Sequence, residues 1–329
     1  MSAVLEVRDL KIHYEPGLGF LSRRGSPIRA VDGVSFGVQP GEVFGIVGES
    51  GCGKSTIARC IAGLVPPSGG QVLFAGHDLR ELHGDAYSRY RRGVQMIFQD
   101  PAESLNPRKT VFQSISQPLR MFRTVPAKRL RDEVSNLLEW VGLSPASQFL
   151  DRYPHQFSGG QRQRICIARA IALRPRIVVA DESVSALDVS IRAQILRLFQ
   201  RMARELDMAV VFITHDLGVV RALCPRVAVM YLGRIVEIGT VDQVFASPLH
   251  PYTRALLAAC PRITPSDEPA ATTFLMEGEV PSPANPPSGC HLHPRCPVAR
   301  DCCATDYPPL RSLQPDHDVA CHNPALTSH

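Results

Sequence analysis

The chain has 329 residues, 44% of them hydrophobic and 20% charged, so it is neither a minimal module nor a disordered tail. The 36 Lys and Arg residues outnumber the 31 Asp and Glu residues, and the net charge of +5 suits a phosphate ligand without requiring nucleic acid. No apolar run approaches the roughly 20 residues of a membrane-spanning helix. The charged amino terminus is unlike a secretory signal, so we expect a cytoplasmic protein. Because the net charge is mild, we expect no nucleic-acid partner.

The first part of the chain has the residue pattern of an α/β protein. The stretches Leu5 to Tyr14 and Ile28 to Val38 predict strands of an antiparallel sheet. Farther along, apolar runs such as Val43 to Val47, Ile177 to Ala180 and Val210 to Ile213 end at polar loops and alternate with helical patterns. Such an alternation predicts a parallel sheet covered by helices.

The remaining regions differ in composition. Residues 100–170 have mostly helical spacing, which predicts an inserted helical subdomain. Residues 261–329 hold 13 of the 28 prolines and five of the ten cysteines. We therefore predict an α/β unit over residues 1–260 and a Cys/Pro-rich C-terminal extension over residues 261–329.

A phosphate-binding loop is predicted at Gly48-Glu-Ser-Gly-Cys-Gly-Lys-Ser55, which matches G-x-x-x-x-G-K-[ST] between an apolar strand and a helical run. Glycines allow backbone N–H groups to turn toward phosphate oxygens, and the helix N-terminus adds its positive dipole end. Lys54 is expected to reach the β and γ phosphates, and Ser55 to offer a hydroxyl to Mg²⁺. The loop thus predicts binding of nucleotide phosphates with Mg²⁺.

A hydrolytic centre is predicted at Asp181-Glu182, which directly follows the strand Ile177 to Ala180. One carboxylate is able to hold Mg²⁺ while the next faces a water molecule. Beside a phosphate loop, two adjacent carboxylates indicate hydrolysis.

A third motif, Phe157-Ser-Gly-Gly-Gln161, resembles the signature sequence of ATP-binding cassette (ABC) ATPases, in which the first residue is usually Leu. The resemblance implies an ABC-type P-loop ATPase core with an N-terminal antiparallel β subdomain. It also implies that Tyr14 stacks on adenine, that Gln99 is the Q-loop glutamine, and that Ser185-Ala-Leu-Asp188 is the D-loop. His215 resembles the switch histidine.

The family resemblance further implies that two cassettes pair head to tail, with each ATP held between the phosphate loop of one and the signature of the other. Catalysis is then expected from Glu182, His215 and Gln99, and Mg²⁺ binding from Ser55, Gln99 and Asp181. The residues expected to bind ATP are Tyr14, Gly48, Ser50, Gly51, Gly53, Lys54, Ser55, Thr56, Ser158, Gly159, Gly160, Gln161 and Asp188. Ser183 departs from the family, which usually carries Pro there, so the rigidity of this loop is in question.

Several further segments resemble the ATPases of oligopeptide and dipeptide importers, and most closely the second ATPase of the pair. They are Phe98-Gln-Asp-Pro101, Ser104-Leu-Asn-Pro107, Tyr153-Pro-His-Gln-Phe157, Met230-Tyr-Leu-Gly233 and His250-Pro-Tyr-Thr253. The resemblance implies a peripheral subunit at the cytoplasmic face of the cell membrane. Its partners would be a paralogous ATPase, two transmembrane permeases and an extracytoplasmic binding protein. Nickel, opine and murein-peptide systems share the pattern, so the solute stays open.

The alternative is a soluble ABC ATPase of translation or DNA repair, for which Arg89, Arg91 and Arg92 would form a phosphate-binding patch. Such proteins carry two cassettes in one chain or a long coiled coil, and the sequence has neither feature. The arginines are better explained as a solvated helix face.

Four cysteines of the extension, Cys290, Cys296, Cys303 and Cys321, have a spacing that suits a tetrahedral Zn²⁺ or an iron–sulfur cluster. The spacing alone does not choose between these. Gly289-Cys-His-Leu-His-Pro-Arg-Cys-Pro297 resembles the cysteine-bearing extension of peptide-importer ATPases, which implies a [4Fe–4S] cluster with a structural role. Cys302 lies beside the third cysteine, and Cys303 is preferred because it matches the family spacing.

Overall fold

The computed structural model describes residues 3–15, 26–185, 187–260, 276 and 278–324. The strands are β1 Leu5–Tyr14, β2 Ile28–Val38, β3 Val43–Val47, β4 Gly69–Phe74, β5 His77–Asp78, β6 Val94–Ile97, β7 Ile177–Asp181, β8 Ala209–Thr214, β9 Arg226–Tyr231, β10 Arg234–Thr240, β11 Arg311–Gln314 and β12 His317–Val319. The helices are α1 Lys54–Ile61, α2 Gly84–Gly93, α3 Pro101–Ser104, α4 Val111–Met121, α5 Leu130–Trp140, α6 Gly159–Ile171, α7 Val189–Leu206, α8 Leu217–Leu223, α9 Val241–Ala246, α10 Pro251–Ala258 and α11 Cys302–Thr305. Single 3-10 turns lie at Leu79–Glu81, Ala127–Arg129, Ala146–Gln148, Pro154–Gln156 and His293–Arg295.

The strands form two sheets. The smaller one has the order β2-β1-β4-β5 and is antiparallel throughout, which confirms the sheet predicted from the first two strands. The larger one has the order β11-β12-β10-β9-β3-β8-β7-β6. Its strands β9, β3, β8, β7 and β6 run parallel, which confirms the predicted parallel core, and β10, β12 and β11 extend it in antiparallel fashion.

The parallel strands bring the predicted site residues to one edge of the larger sheet. Every residue of β3, β7 and β8 is buried, as expected for strands covered by helices on both faces. β8 lies between β3 and β7. The phosphate loop, Asp181-Glu182 and His215 follow these strands at their carboxyl ends, so the three motifs meet above neighbouring strands.

Helices α3 to α6 occupy the region predicted to be helical. Thr110 caps α4 through a reciprocal capping box with Gln113, and Ser158 caps α6 in the same way with Gln161. Val134 and Leu138 of α5 are fully buried against the same hydrophobic core as α4 and α6. The helical prediction is therefore confirmed.

The end of the described chain joins the larger sheet. β11 and β12 form a hairpin, and β12 pairs with β10 from Glu237–Val319 to Gly239–His317. Residues 261–275, where the extension was predicted to begin, lie outside the described residues, and the division of the chain after residue 260 stays a prediction. Among the helices described, none has both the length and the apolar character needed to cross a membrane.

Candidate functional site

The phosphate loop has the backbone shape that its glycines predict. Gly48 and Gly53 have φ values of 157° and 105°. A Cβ at Gly48 would collide with the carbonyl oxygen of Met230, and a Cβ at Gly53 with that of Ala30. Other side chains are therefore excluded by both space and conformation at these two positions.

Lys54 lies buried inside the loop. Its Nζ donates hydrogen bonds of 2.8 Å to the carbonyl oxygens of Gly48 and Glu49, and approaches the Cys52 sulfur at 3.6 Å. An ammonium group has three donors, and sulfur is a weak acceptor. The third N–H of Lys54, which faces the weak sulfur acceptor, is therefore available to hydrogen-bond a phosphate oxygen.

Ser55 and Asp181 provide two adjacent oxygen atoms of the kind that Mg²⁺ prefers. The Ser55 hydroxyl donates a 3.0 Å hydrogen bond to Asp181 Oδ1. Burial raises the pKa of Asp181 above its usual range, and the neighbouring Glu182 charge acts in the same direction. A cation would relieve this cost by neutralising the carboxylate, so the donor set fits Mg²⁺.

The three predicted catalytic side chains meet at one carboxylate. Gln99 Nε2 donates a 3.0 Å hydrogen bond to Glu182 Oε2, and His215 Nδ1 lies 3.2 Å from Glu182 Oε1. The Glu182 side chain is 15% exposed, whereas that of His215 is 56% exposed. Glu182 is thus held from two sides and still reached by solvent.

The backbone after β7 is locally strained. Glu182 has a positive φ of 43°, and its N–H donates to the carbonyl oxygen of Ile213 in β8. Ser183, where the family usually has Pro, is buried, and its hydroxyl has no hydrogen-bond partner among the described residues. The Ser185 hydroxyl donates to the Glu182 carbonyl, so part of the loop is tied locally.

The signature residues form a second helix N-terminus. The Ser158 hydroxyl accepts a hydrogen bond from the Gln161 N–H, and the Gln161 side chain accepts one from the Ser158 N–H. Ser158 and Gly159 are exposed, while a Cβ at the buried Gly160 would be crowded by Ile191 of α7. Gly159 lines a cleft of about 880 Å³ together with Gln99 and Asp181.

The remaining predicted ATP-binding residues lie at or near the protein surface. Tyr14 ends β1 and is 38% exposed, so its ring is accessible for stacking. Asp188 is exposed and precedes α7 without a side-chain cap, and Ala186 of the D-loop lies outside the described residues. Ser50, Gly51 and Thr56 complete the phosphate loop and are exposed or half-buried.

Sequence reasoning missed one part of the loop's environment. The Glu49 N–H donates a 2.9 Å hydrogen bond to the hydroxyl of Tyr252, and Arg295 lies 3.7 Å from the Glu49 carboxylate. In the sequence, Tyr252 stands out only as part of the His250–Thr253 run. Nothing in the sequence relates that run to the loop, because Glu49 and Tyr252 are 203 positions apart in the chain.

The four cysteines of the extension lie near one another. The Cys290 N–H donates to the Cys303 carbonyl at 2.8 Å, and Cys303 and Cys321 are buried while Cys302 is exposed. Burial raises the pKa of Cys321 to about 12, and proximity to Cys290, Cys296 and Cys303 adds to the shift. Within the described chain, no three or more His, Cys, Asp and Glu side chains are arranged to hold a metal ion.

Comparison with known proteins identifies the family. Residues 31–185 match the ABC transporter family, and residues 236–303 match the oligopeptide/dipeptide transporter, C-terminal region. A probable peptide ABC transporter ATP-binding protein of Sinorhizobium fredii is 49% identical over 99% of this chain and 92% of its own length. The oligopeptide transport ATP-binding protein OppF of Escherichia coli is 48% identical over 97% and 95%. The chain belongs to the ABC transporter family and, within it, to the ATP-binding proteins that carry the oligopeptide/dipeptide transporter C-terminal region.

Solved structures agree with the fold. The dimeric post-hydrolysis structure of the ATP-binding cassette MJ0796, bound to ADP and Pi, has a TM-score of 0.63 and 28% identity, and the match covers 72% of this chain and 98% of that one.

The family assigns this chain its role: it is the ATP-hydrolysing subunit of a membrane transporter and lies peripherally at its cytoplasmic face. The similarities extend over nearly the whole chain and support the importer prediction, not the soluble ATPase of translation or repair.

Proposed function

We propose that the chain energises import of peptides, either dipeptides or oligopeptides. The observation that carries the ATPase part is the contact of Glu182 with both Gln99 and His215, beside the Ser55–Asp181 pair. The peptide part is supported by the full-length similarity to OppF and to the Bacillus subtilis oligopeptide transport protein AppF, which is 46% identical.

In the proposed mechanism, Lys54 and the loop N–H groups bind the phosphates, and Tyr14 stacks on adenine. Ser55, Asp181 and Gln99 would hold Mg²⁺, which supplies neutralisation of phosphate charge. Glu182 accepts a proton from the attacking water, and its two neighbours fix the direction of its carboxylate. Because Gln99 now donates to Glu182, its amide would have to exchange this partner when it turns its oxygen toward the metal.

We propose that the functional unit is a head-to-tail pair with a paralogous ATPase. Ser158 and Gly159 are exposed at the start of α6, with the buried Gly160 directly behind them, and Asp188 is exposed at the start of α7. These groups are available to a nucleotide held by another chain. The dimeric MJ0796 structure, a homologous cassette, supports such a pairing.

The two transmembrane permeases, which would receive solute from an extracytoplasmic binding protein, are proposed to dock in a second cleft. It has a volume of about 650 Å³ and is lined by Leu64, Tyr87, Phe98 and Met121. All four of these side chains are exposed, and a contiguous exposed apolar patch of this kind marks an interaction site. Phe98 directly precedes Gln99, so a permease segment seated here would act on the residue that contacts Glu182.

For the extension, we propose that Cys290, Cys296, Cys303 and Cys321 hold a [4Fe–4S] cluster, with Zn²⁺ as the alternative. The resemblance of residues 289–297 to the cysteine-bearing extension of peptide-importer ATPases supports this choice, and Cys303 is buried whereas Cys302 is exposed. In the described chain the four thiols are not arranged as a metal-binding group. A multi-atom cluster would supply a covalent cross-link between distant parts of the chain.

The proposed function is tested with the purified transporter, comprising both ATPases, both permeases and the binding protein. ATP hydrolysis is measured with the binding protein loaded with di-, tri- or pentapeptides, or with Ni²⁺ as the competing solute. Stimulation by a peptide-loaded binding protein is expected. Stimulation by Ni²⁺ alone would overturn the peptide assignment and leave the ATPase assignment intact.

A further inference from the structure

The cysteine-bearing loop of the extension touches the phosphate loop through one side chain. Arg295, directly before Cys296, places Nη1 3.7 Å from Glu49 Oε2 and donates a 3.3 Å hydrogen bond to the Tyr231 hydroxyl. Its side chain is only 9% exposed. An arginine of the extension is thus buried against the residue that follows Gly48.

Glu49 is a charged residue in an unusual place. Its carbonyl accepts a hydrogen bond from Lys54, and its N–H donates to Tyr252, so its backbone is fixed within the phosphate loop. Its Oε2 is buried and has no hydrogen-bond partner in the described part of the chain. The ion pair with Arg295 is the interaction that the structure gives to this oxygen.

The charge of Glu49 bears directly on nucleotide affinity. A triphosphate bound by this loop carries several negative charges, and a partly buried carboxylate on the same loop repels it. Arg295 offsets that charge. Because Nε of Arg295 is also buried without a partner among the described residues, a small shift would convert the ion pair into a direct hydrogen bond.

Two aromatic rings support the pair. Tyr231, which accepts from Arg295, packs on Tyr252 with ring centroids 4.7 Å apart. Tyr252 in turn accepts from the Glu49 N–H. The cysteine loop and the phosphate loop are therefore connected twice, directly through Arg295 and Glu49 and indirectly through the two tyrosines.

We propose that Arg295 is a positioning residue that neutralises Glu49 and makes ATP affinity depend on the folded cysteine loop. The proposal rests on the assignment of residues 48–55 to phosphate binding. By linkage, ATP binding stabilises the Arg295 contact by the same free energy as the contact stabilises ATP binding. Folding of the cysteine loop and ATP binding are thereby coupled, since a chain with a disordered cysteine loop binds ATP weakly.

The test measures affinity of the full-length chain for a fluorescent ATP analogue with Mg²⁺. Arg295→Met is expected to weaken binding roughly tenfold, within the usual range of coupling between sites. The matched control is Arg300→Met, since Arg300 lies in the same loop but is exposed and contacts Asn323 of the extension. The control should bind as the wild type does.

Charge rescue separates neutralisation from mere packing. Glu49→Gln in the Arg295→Met chain removes the unpaired carboxylate and should restore affinity to within about twofold of the wild type, because independent sites would instead add their losses. Should Arg295→Met unfold the extension, Glu49→Gln alone still decides, since it should bind ATP at least as tightly as the wild type. Failure of rescue, or weaker binding by Glu49→Gln, overturns the proposal.

The phosphate-site assignment is checked in the same assay with Lys54→Ala. If this variant binds normally, the site assignment itself fails. If it loses binding while Arg295→Met binds normally, only the role of Arg295 is wrong.

Discussion

His317 Nε2 lies 2.7 Å from Glu237 Oε1, and neither side chain is exposed to solvent. His317 lies in β12 and Glu237 in the neighbouring β10. The same carboxylate accepts hydrogen bonds from the N–H groups of Leu249 and His250. A buried carboxylate is tolerated only while its partners are present, so this contact fixes the extension hairpin on the cassette.

We therefore expect His317→Ala to lower the free energy of unfolding by about 3 kcal/mol, the usual cost of removing one partner of a buried pair. Urea unfolding of the full-length chain measures this. His317→Gln retains a donor and should recover part of the loss. The control is His322→Ala, which removes a half-buried histidine near the same hairpin that contacts the Asp306 carbonyl and not Glu237. Equal stability of His317→Ala and the wild type would show that the hairpin is held elsewhere.

The location of this pair shows what the sequence could and could not predict. The bounds of β1 and β2 agree with the stretches Leu5 to Tyr14 and Ile28 to Val38, because long alternating segments carry their own pattern. The hairpin β11–β12 was not predicted. Its strands have four and three residues, and its place in the sheet depends on a contact between residues 80 apart in the chain.

The candidate site divides in the same way. The phosphate loop and Asp181-Glu182 could be predicted from the sequence because each combines a local motif with an apolar strand before it. The contact of Gln99 with Glu182 could not be read from either motif, since it depends on how the end of β6 lies beside β7. The Arg295–Glu49 pair joins the extension to the cassette and has no local signal at all.

Acid sensitivity is expected from His250. Burial lowers the pKa of His250 from 6.5 to about 4, although the Glu237 charge opposes the shift. Between these values the unfolded chain binds a proton that the folded chain does not, so stability falls as the pH falls, by up to about 1.4 kcal/mol per pH unit. Urea unfolding between pH 7 and pH 4 should show this slope.

The matched variant for this slope is His250→Asn. Its side-chain oxygen is able to accept the Tyr252 N–H, as His250 Nδ1 does at 3.1 Å, but the side chain does not titrate. The slope should become shallower by the His250 contribution, whereas His155→Asn, at an exposed position, should leave it unchanged. An unchanged slope in His250→Asn would assign the acid sensitivity to another group.

Glu182→Gln should keep ATP binding and abolish turnover at this site. The amide has the shape of the carboxylate but lacks the base, and loss of a general base typically costs about 10²- to 10⁴-fold in rate. Single-turnover hydrolysis and nucleotide binding are measured on the assembled transporter. The partner ATPase should carry the corresponding substitution at its own site, so that residual turnover is not assigned to the wrong chain. Wild-type turnover of that doubly substituted complex would remove Glu182 from the catalytic role.

Lys54→Ala should fail earlier, at nucleotide binding, because we expect Lys54 to contact phosphate already in the ground state. Its buried ammonium also holds the Gly48 and Glu49 carbonyls at 2.8 Å, so the loop loses two of its own hydrogen bonds. Binding of Mg²⁺-ATP followed by calorimetry should become undetectable at concentrations that saturate Glu182→Gln. Binding as tight as that of Glu182→Gln would contradict the phosphate role.

The cysteine proposal predicts that anaerobically purified protein is brown and contains iron and sulfide. Cys296→Ser should lose the colour and lower the melting temperature of the extension, because one of four cross-linking thiols is gone. Cys302→Ser is the matched control, since this exposed thiol neighbours the buried Cys303 and should be dispensable. Colourless protein with one zinc per chain would replace the cluster by Zn²⁺ at the same four thiols. If Cys302→Ser loses the bound metal and Cys303→Ser retains it, the third ligand is Cys302 and not Cys303.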